Sequence, residues 1–181
     1  MFIALTGTPG TGKTSVADIL ENNYGYCVVH LNDVIKNEHL FDEVDEDRDC
    51  VLAEMNQIAN YLDEHFSDKD DKIIILDSHL SHHFAQQCIV LRTAPADLRA
   101  RLASRGYKDR KVEENVDAEC LDVILVEAVE MCESVFEVET TCRDAIDVSK
   151  DIHEIITALS SGISPDSRFL PGSFNWIDEI P

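Results

Sequence analysis

The sequence predicts an α/β fold, a five-stranded parallel sheet with helices on both faces, and three observations carry this. Short apolar runs, such as residues 2–6 and 73–76, alternate along the chain with longer stretches of helical period, the pattern of strand–helix–strand units. The runs are apolar on both sides, as strands covered on both faces must be. A chain of 181 residues, 44% of them hydrophobic, can fill one such core and is too short for two large ones.

Residues 2–6 run apolar up to Gly7 and are expected to form the first buried strand. The helix expected over 13–22 turns Val16, Ala17 and Leu20 inward. A second strand over 27–31 ends at Asn32 and Asp33, both good N-cap residues, before a short helix over 34–39. The run Asp42-Glu43-Val44-Asp45-Glu46-Asp47-Arg48-Asp49 is too charged to pack and reads as a mobile surface segment. From 51 to 66, Leu52, Met55, Ile58, Ala59, Leu62 and Phe66 recur at helical spacing and predict a core-facing helix.

A strand over 73–76 then delivers Asp77 at its carboxyl end, and another over 88–91 delivers Arg92. Residues 95–104 read as a helix, with Pro95 tolerated in its first turn. One long amphipathic helix from 112 to about 134, a short strand over 135–138 and a helix over 149–159 complete a domain expected to span 1–160. The tail, 161–181, is rich in Ser, Gly and Pro and carries the only tryptophan, Trp176, with Phe174 beside it. It either stays extended or docks through these rings.

Bulk properties exclude several classes. No apolar run approaches the ~20 residues needed to cross a bilayer, and Met1 leads into Phe2-Ile3-Ala4-Leu5 without a basic leader segment. The chain is therefore expected to be cytoplasmic, or nuclear in a eukaryote, with no membrane partner. The six cysteines are scattered, with no C-x-x-C pair and no C/H cluster at metal-ligand spacing, so they are expected reduced and mostly packed as small apolar residues. A net charge of −21 repels phosphate backbones and argues against sequence-independent nucleic-acid binding. The same charge suits either a salty cytoplasm or a basic protein partner.

The segment Gly7-Thr8-Pro9-Gly10-Thr11-Gly12-Lys13-Thr14 matches G-x-x-x-x-G-K-[ST], with an apolar strand before it and a helical pattern after it. This is the P-loop pattern. Gly10, Thr11, Gly12 and Ser15 are expected to cradle the phosphates of ATP with backbone N–H groups at a helix N-terminus. Lys13 is expected to reach the β- and γ-phosphates, and Thr14 to ligate Mg²⁺. Asp77, at the end of an apolar strand, fits a second Mg²⁺-shell carboxylate. His79, two residues on, reads as catalytic, whereas His82 and His83 read as structural. Arg105 is the first choice for an ATP-phosphate contact, with Arg92 and Arg101 behind it and Arg110 nearby; Arg99 suits a solvated helix face. No N-K-x-D base-reading segment of a GTPase occurs.

Several segments in order resemble the adenylate kinase isoenzyme 6 family, atypical adenylate kinases also implicated in small-ribosomal-subunit assembly. They are 5–14, the acidic stretch 42–50, Asp77-Ser78-His79, Val90-Leu91-Arg92-Thr93, Arg101-Leu102, Arg105-Gly106-Tyr107 and Glu114-Asn115-Val116. The tail, with Pro171-Gly172 and Trp176, looks more like the archaeal branch. The resemblance implies a P-loop nucleoside monophosphate kinase fold, an acceptor-binding segment at about 30–53 and a short lid at about 104–114. It assigns the D-x-H pair to catalysis and AMP to the acceptor site, for which Asp33, Lys36 and Arg92 are the candidates. Lys36 stands where typical adenylate kinases place an Arg, and a Lys grips phosphate as a point charge without the planar fork. A zinc-bearing lid is missing, so no metal beyond Mg²⁺ is expected.

The expected activity is transfer of the γ-phosphate of Mg·ATP to AMP, with ATP hydrolysis beside it and a role in small-subunit rRNA maturation. The alternative is an assembly ATPase that binds and releases a basic small-subunit ribosomal protein on the pre-ribosomal small subunit, with little kinase activity. A kinase for another small acceptor, such as CMP or shikimate, shares only the fold.

Overall fold

The computed structural model describes residues 1–45, 50–66 and 72–179, with backbone alone for 42–45 and 50–52. Among them the order is β1 (Phe2–Thr6), α1 (Lys13–Tyr24), β2 (Cys27–His30), α2 (Leu31–Asn37), β3 (Phe41–Asp45), β4 (Cys50–Ala53), α3 (Met55–Phe66), β5 (Ile74–Asp77), β6 (Gln87–Arg92), α4 (Pro95–Ser104), α5 (Asp109–Cys120), α6 (Val123–Met131), β7 (Ser134–Glu139) and α7 (Ala145–Ser160), with short 3-10 turns at Ser81–Phe84, Ser167–Phe169 and Ile177–Glu179. Five strands form one parallel sheet in the order β2-β5-β1-β6-β7. This is the fold class expected.

The strand at the centre is β1, which is why Ile3, Ala4 and Leu5 have no exposure at all. One face of the sheet packs on α1 and α7 through Val16, Leu20, Ile152 and Ile156. The other face packs on α2 and α3 through Ile35, Ile58 and Leu62, and on α6 through Leu125 and Ala128. Parallel pairing brings the carboxyl ends of the strands into line: Leu5 lies beside Asp77, and Asp77 beside His30. Such an edge, where the chain leaves the sheet, is where open α/β folds hold their ligands.

Two expected helices are corrected. The helix over 51–66 begins only at Met55, because Cys50–Ala53 pairs antiparallel with Phe41–Asp45 as a two-stranded hairpin, and Glu54 N donates to Leu40 O before the helix starts. The acidic run 42–49 thus contributes its first part to a strand, while 46–49 lie outside the described residues. The single helix over 112–134 is broken into α5 and α6 at Asp122, whose φ of 55° is left-handed. Asp tolerates that conformation better than most residues, and it turns the Asp122 carboxylate onto Arg92.

Arg92 ends β6 and is 1% exposed. Its Nε donates to Glu119 Oε1 at 2.9 Å, its Nη1 to Glu137 Oε1 at 2.5 Å, and its Nη2 to Asp122. The tail closes this cluster from outside. Phe169 inserts into the α1–α7 core, Ser173 N donates to Glu137 Oε2 at 2.9 Å, and the Trp176 ring stacks on the guanidinium at 4.8 Å. Trp176 also packs against the apolar cluster that α4 and α5 form from Leu98, Leu102, Val112, Val116 and Cys120.

Arg92 is therefore a structural residue, and its expected place on the acceptor side is corrected: all three of its nitrogens are spent on carboxylates. Removing it leaves Glu119 and Glu137 buried without their cation, a loss of the order of 3–5 kcal/mol. We expect Arg92→Ala to lower the urea midpoint accordingly, as read by far-UV circular dichroism. A variant as stable as the parent would refute this role.

Candidate nucleotide-binding site

Between β1 and α1 the chain makes the P-loop turn that the motif requires. Gly7 has φ 134°, and a Cβ there would meet Leu91 O at 2.4 Å, so backbone touches backbone and no side chain fits. At Gly10, φ 100°, a Cβ would press on Leu98 and Leu102 of α4 at 2.8 and 2.9 Å. Inside the loop, Thr11 Oγ1 donates to Thr8 O at 2.9 Å, and Thr8 Oγ1 donates to Glu119 Oε2 at 2.5 Å. Glu119 also accepts from Thr93 N at 3.0 Å. The loop is thus fastened to α5 and to the end of β6.

Lys13 folds over this loop, donating to Gly7 O at 2.7 Å and Thr8 O at 3.1 Å. Burial pushes its pKa down to about 8 against the pull of Asp77 and Glu119, and Arg105 adds to the depression. Asp77 Oδ2 is bonded to His30 Nδ1 at 2.8 Å, whereas Asp77 Oδ1 is buried without a hydrogen-bond partner. Ser78 Oγ donates to Asn32 Oδ1 at 3.1 Å, tying β5 to the start of α2. The His79 ring is held down to about pKa 4, first by burial and then by Lys13 and the neighbouring His82 and His83. Its carbonyl accepts from Thr6 Oγ1 at 3.2 Å.

These groups line a cleft of about 620 Å³ with two further walls, one formed by Asn32, Ile35, Lys36 and Met55, the other by Arg105, Tyr107 and Lys111. A smaller groove of about 260 Å³ adjoins it past Gly10, Gly12 and Arg105, between Arg101 and Arg143. Arg101 is fixed there by its bonds to Thr140 O and Oγ1 at 2.6 and 3.0 Å.

Of the residues expected at a site, Gly10, Gly12, Lys13, Thr14, Ser15, Lys36, Asp77, His79 and Arg105 line this cleft, and Thr11 lines the smaller groove. Asp33 is not on the cleft wall. It is exposed on α2, where the first turn of the helix points it outward, and Asn32 takes the inner position. Arg110 lies on the surface, paired with Glu114. Sequence reading missed His30, Asn32, Glu119, Tyr107 and Lys111. Tyr107 stood in a quoted segment, and Asn32 was read only as a cap; nothing in the linear order marks His30 or Glu119, whose partners lie 47 and 111 residues away.

A family model described as an AAA domain matches residues 3–122. The chain is 48% identical to the protein named "Putative adenylate kinase" of Methanosarcina barkeri, with both chains covered in full. It is 40% identical to the protein of that name from Methanocaldococcus jannaschii, over 86% of each. The chain belongs to this archaeal family. The resemblance to the adenylate kinase isoenzyme 6 family, and to its archaeal branch, is borne out by these relatives. Among solved structures it is similar to shikimate kinase from Acinetobacter baumannii in complex with shikimate, with a TM-score of 0.61 at 15% identity over 87% of this chain and 93% of that one. Another is TT1252 from Thermus thermophilus, with a TM-score of 0.57 at 16% identity over 88% and 97%. At such identities the likeness is one of fold. Among the described residues no helix is long and apolar enough to cross a membrane.

The depressed Lys13 has a consequence for stability. Its pKa of about 8 in the folded chain lies below the ordinary 10.5, so between those values the unfolded chain holds a proton that the folded chain has lost. Stability therefore gains from this group as pH rises from about 8 to about 10.5, and the gain is absent below about 8. We expect the urea midpoint of the nucleotide-free protein to rise across that window relative to Lys13→Met. Parallel pH profiles for the two proteins would remove the effect.

Proposed function

We propose that the chain is an adenylate kinase that transfers the γ-phosphoryl group of Mg·ATP to AMP, giving two ADP, with slow hydrolysis of ATP as a side activity. The observation that carries this reading is the shape of the cleft. The P-loop forms its floor, cationic side chains stand on both remaining walls, and Asp77, whose Oδ1 is buried without a hydrogen-bond partner, lines it. Such a cleft can take two phosphate chains end to end.

In this reading Lys13 exchanges the carbonyls of Gly7 and Thr8 for the phosphates of ATP, joined by the N–H groups of Gly10 to Ser15. The smaller groove beside Arg101 takes the nucleoside. The Thr14 hydroxyl and the orphaned Asp77 Oδ1 are hard oxygen donors that fit Mg²⁺, which when bound offsets the charge on the β- and γ-phosphates. His30 keeps the other Asp77 oxygen occupied and so fixes the carboxylate. Lys36 on the acceptor segment, 30–53, holds the AMP phosphate. One of its oxygens forms the new bond to the γ-phosphorus as the bond to the β-bridging oxygen breaks, and Arg105 and Lys111 from the lid side, 104–114, screen the charge. The neutral ring of His79 orients the entering group. No residue forms a covalent intermediate; positioning and charge do the work.

A second reading is favoured by the net charge of −21. A basic small-subunit ribosomal protein would be drawn to the acidic side of the acceptor segment, where 42–45 form one strand of the hairpin and 46–49 lie outside the described residues. In that case the nucleotide cycle times binding and release during small-subunit rRNA maturation, in the cytoplasm. Both activities could use the same cleft.

We expect ADP formation to rise at least tenfold on adding AMP, with little response to CMP or shikimate. Stimulation by another acceptor, or none at all, would overturn the kinase reading. Lys13→Ala should lower turnover about 100-fold or more, and Asp77→Asn should lose both rate and Mg²⁺ response, with the fold retained by far-UV circular dichroism. For the second reading, pull-down of small-subunit proteins should weaken as salt rises, because exposed charges are screened over about 10 Å at 0.1 M, and replacing Asp45, Glu46 and Asp47 by Ser should abolish it.

A further inference from the structure

The 3-10 turn Ser81–Phe84, which follows His79, carries a second polar cluster outside the nucleotide cleft. His82 is 1% exposed. Its Nδ1 lies 3.3 Å from Thr6 Oγ1, and that same oxygen lies 3.2 Å from His79 O. When the single hydroxyl proton of Thr6 goes to the His79 carbonyl, which can only accept, Thr6 accepts from Nδ1–H of His82. In the neutral ring Nε2 is then a bare lone pair. It is sealed from solvent.

What faces it is another acceptor. Glu127 Oε2, on α6, stands 3.3 Å from His82 Nε2. At that separation the two are joined through a shared cation, either a proton on Nε2 or a metal ion that displaces it. The exposed His83, its ring centroid 4.3 Å from that of His82, supplies a third donor, and one ligand atom from each of the three falls within 4.8 Å of the others. Bonds of about 2.0–2.1 Å to a tetrahedral ion put neighbouring ligand atoms about 3.4 Å apart. The His82–Glu127 pair already has that spacing, and His83 can close the rest by a side-chain rotation at the surface.

We propose that His82 Nε2, His83 and Glu127 form a site for a divalent transition-metal ion of the zinc class, with its fourth position open to water. Imidazole donors select such an ion over Mg²⁺, which prefers an all-oxygen shell. Thr6 plays the supporting part usual at such sites, holding the far ring nitrogen so that the ligand is oriented and its tautomer set. The ion would join α6 to the turn that presents His79, through Thr6, the residue immediately before the P-loop. The site differs from the Mg²⁺ position read into Thr14 and Asp77 and does not depend on the proposed activity. Sequence reading took His82 and His83 as structural, because Glu127 comes from a different element and no linear spacing joins the three.

The test is a titration of chelator-stripped protein with Zn²⁺, in excess Mg²⁺, by calorimetry, with thermal midpoints measured alongside. We expect one equivalent to bind and to raise the midpoint. The affinity should fall at least about tenfold in His83→Ala and in Glu127→Gln, surface changes that leave the core intact, while Asp77→Asn and Cys132→Ser bind as the parent does. Absence of a zinc equivalent would overturn the proposal. So would equal affinity in the parent and both ligand variants, or an Nε2 proton on His82 that persists by nitrogen-15 NMR in saturating Zn²⁺.

Discussion

A carboxylate removed from water must be given partners, and Glu119 has three: the Thr8 hydroxyl, the Thr93 amide and the Arg92 guanidinium. These groups come from different parts of the molecule. Thr8 is in the P-loop, Arg92 ends β6 with Thr93 next in the chain, and Glu119 itself sits on α5. The desolvation cost of the charge is offset only when all are in place, so the loop that cradles phosphates takes its shape together with the helices around it. The Arg92 guanidinium extends the same cluster to Asp122 and Glu137, and Trp176 covers it from the tail.

The sheet supplies the second constraint. With β1 in the middle and β5 and β2 on one side, parallel register sets His30, Asp77 and the P-loop at one edge. His30 satisfies one oxygen of Asp77 and leaves the other unpartnered. An acceptor sealed from water and left unsatisfied is costly in a stable fold, and a cation is the partner its chemistry asks for.

Charge is distributed unevenly. A chain of net −21 nonetheless gathers Lys13, Lys36, Arg105 and Lys111 around a single cleft. A local positive field within an acidic body suits small phosphorylated ligands. Burial depresses the pKa of both Lys13 and His79, and a cation adds to it in each case: Arg105 at Lys13, where Asp77 and Glu119 pull the other way, and Lys13 at His79.

By itself the sequence determined the fold class, the P-loop and the residues of the cleft floor, because these are local. An apolar run before G-x-x-x-x-G-K-[ST] and a helical pattern after it specify strand, turn and helix with no reference to distant residues, and Asp77 and His79 follow from the same strand-end logic. Tertiary structure decided whatever depended on pairing across the chain. Arg92 looked like a phosphate ligand until Glu119, Asp122 and Glu137 converged on it. Asp33 and Asn32 could not be told apart until α2 had a direction. Leu52 fits helical spacing as well as a strand, and only the neighbouring Phe41–Asp45 strand made it extended. Buried charges, orphaned acceptors and side-chain clusters are properties of three-dimensional proximity, and a one-dimensional pattern carries no record of which distant group will satisfy them.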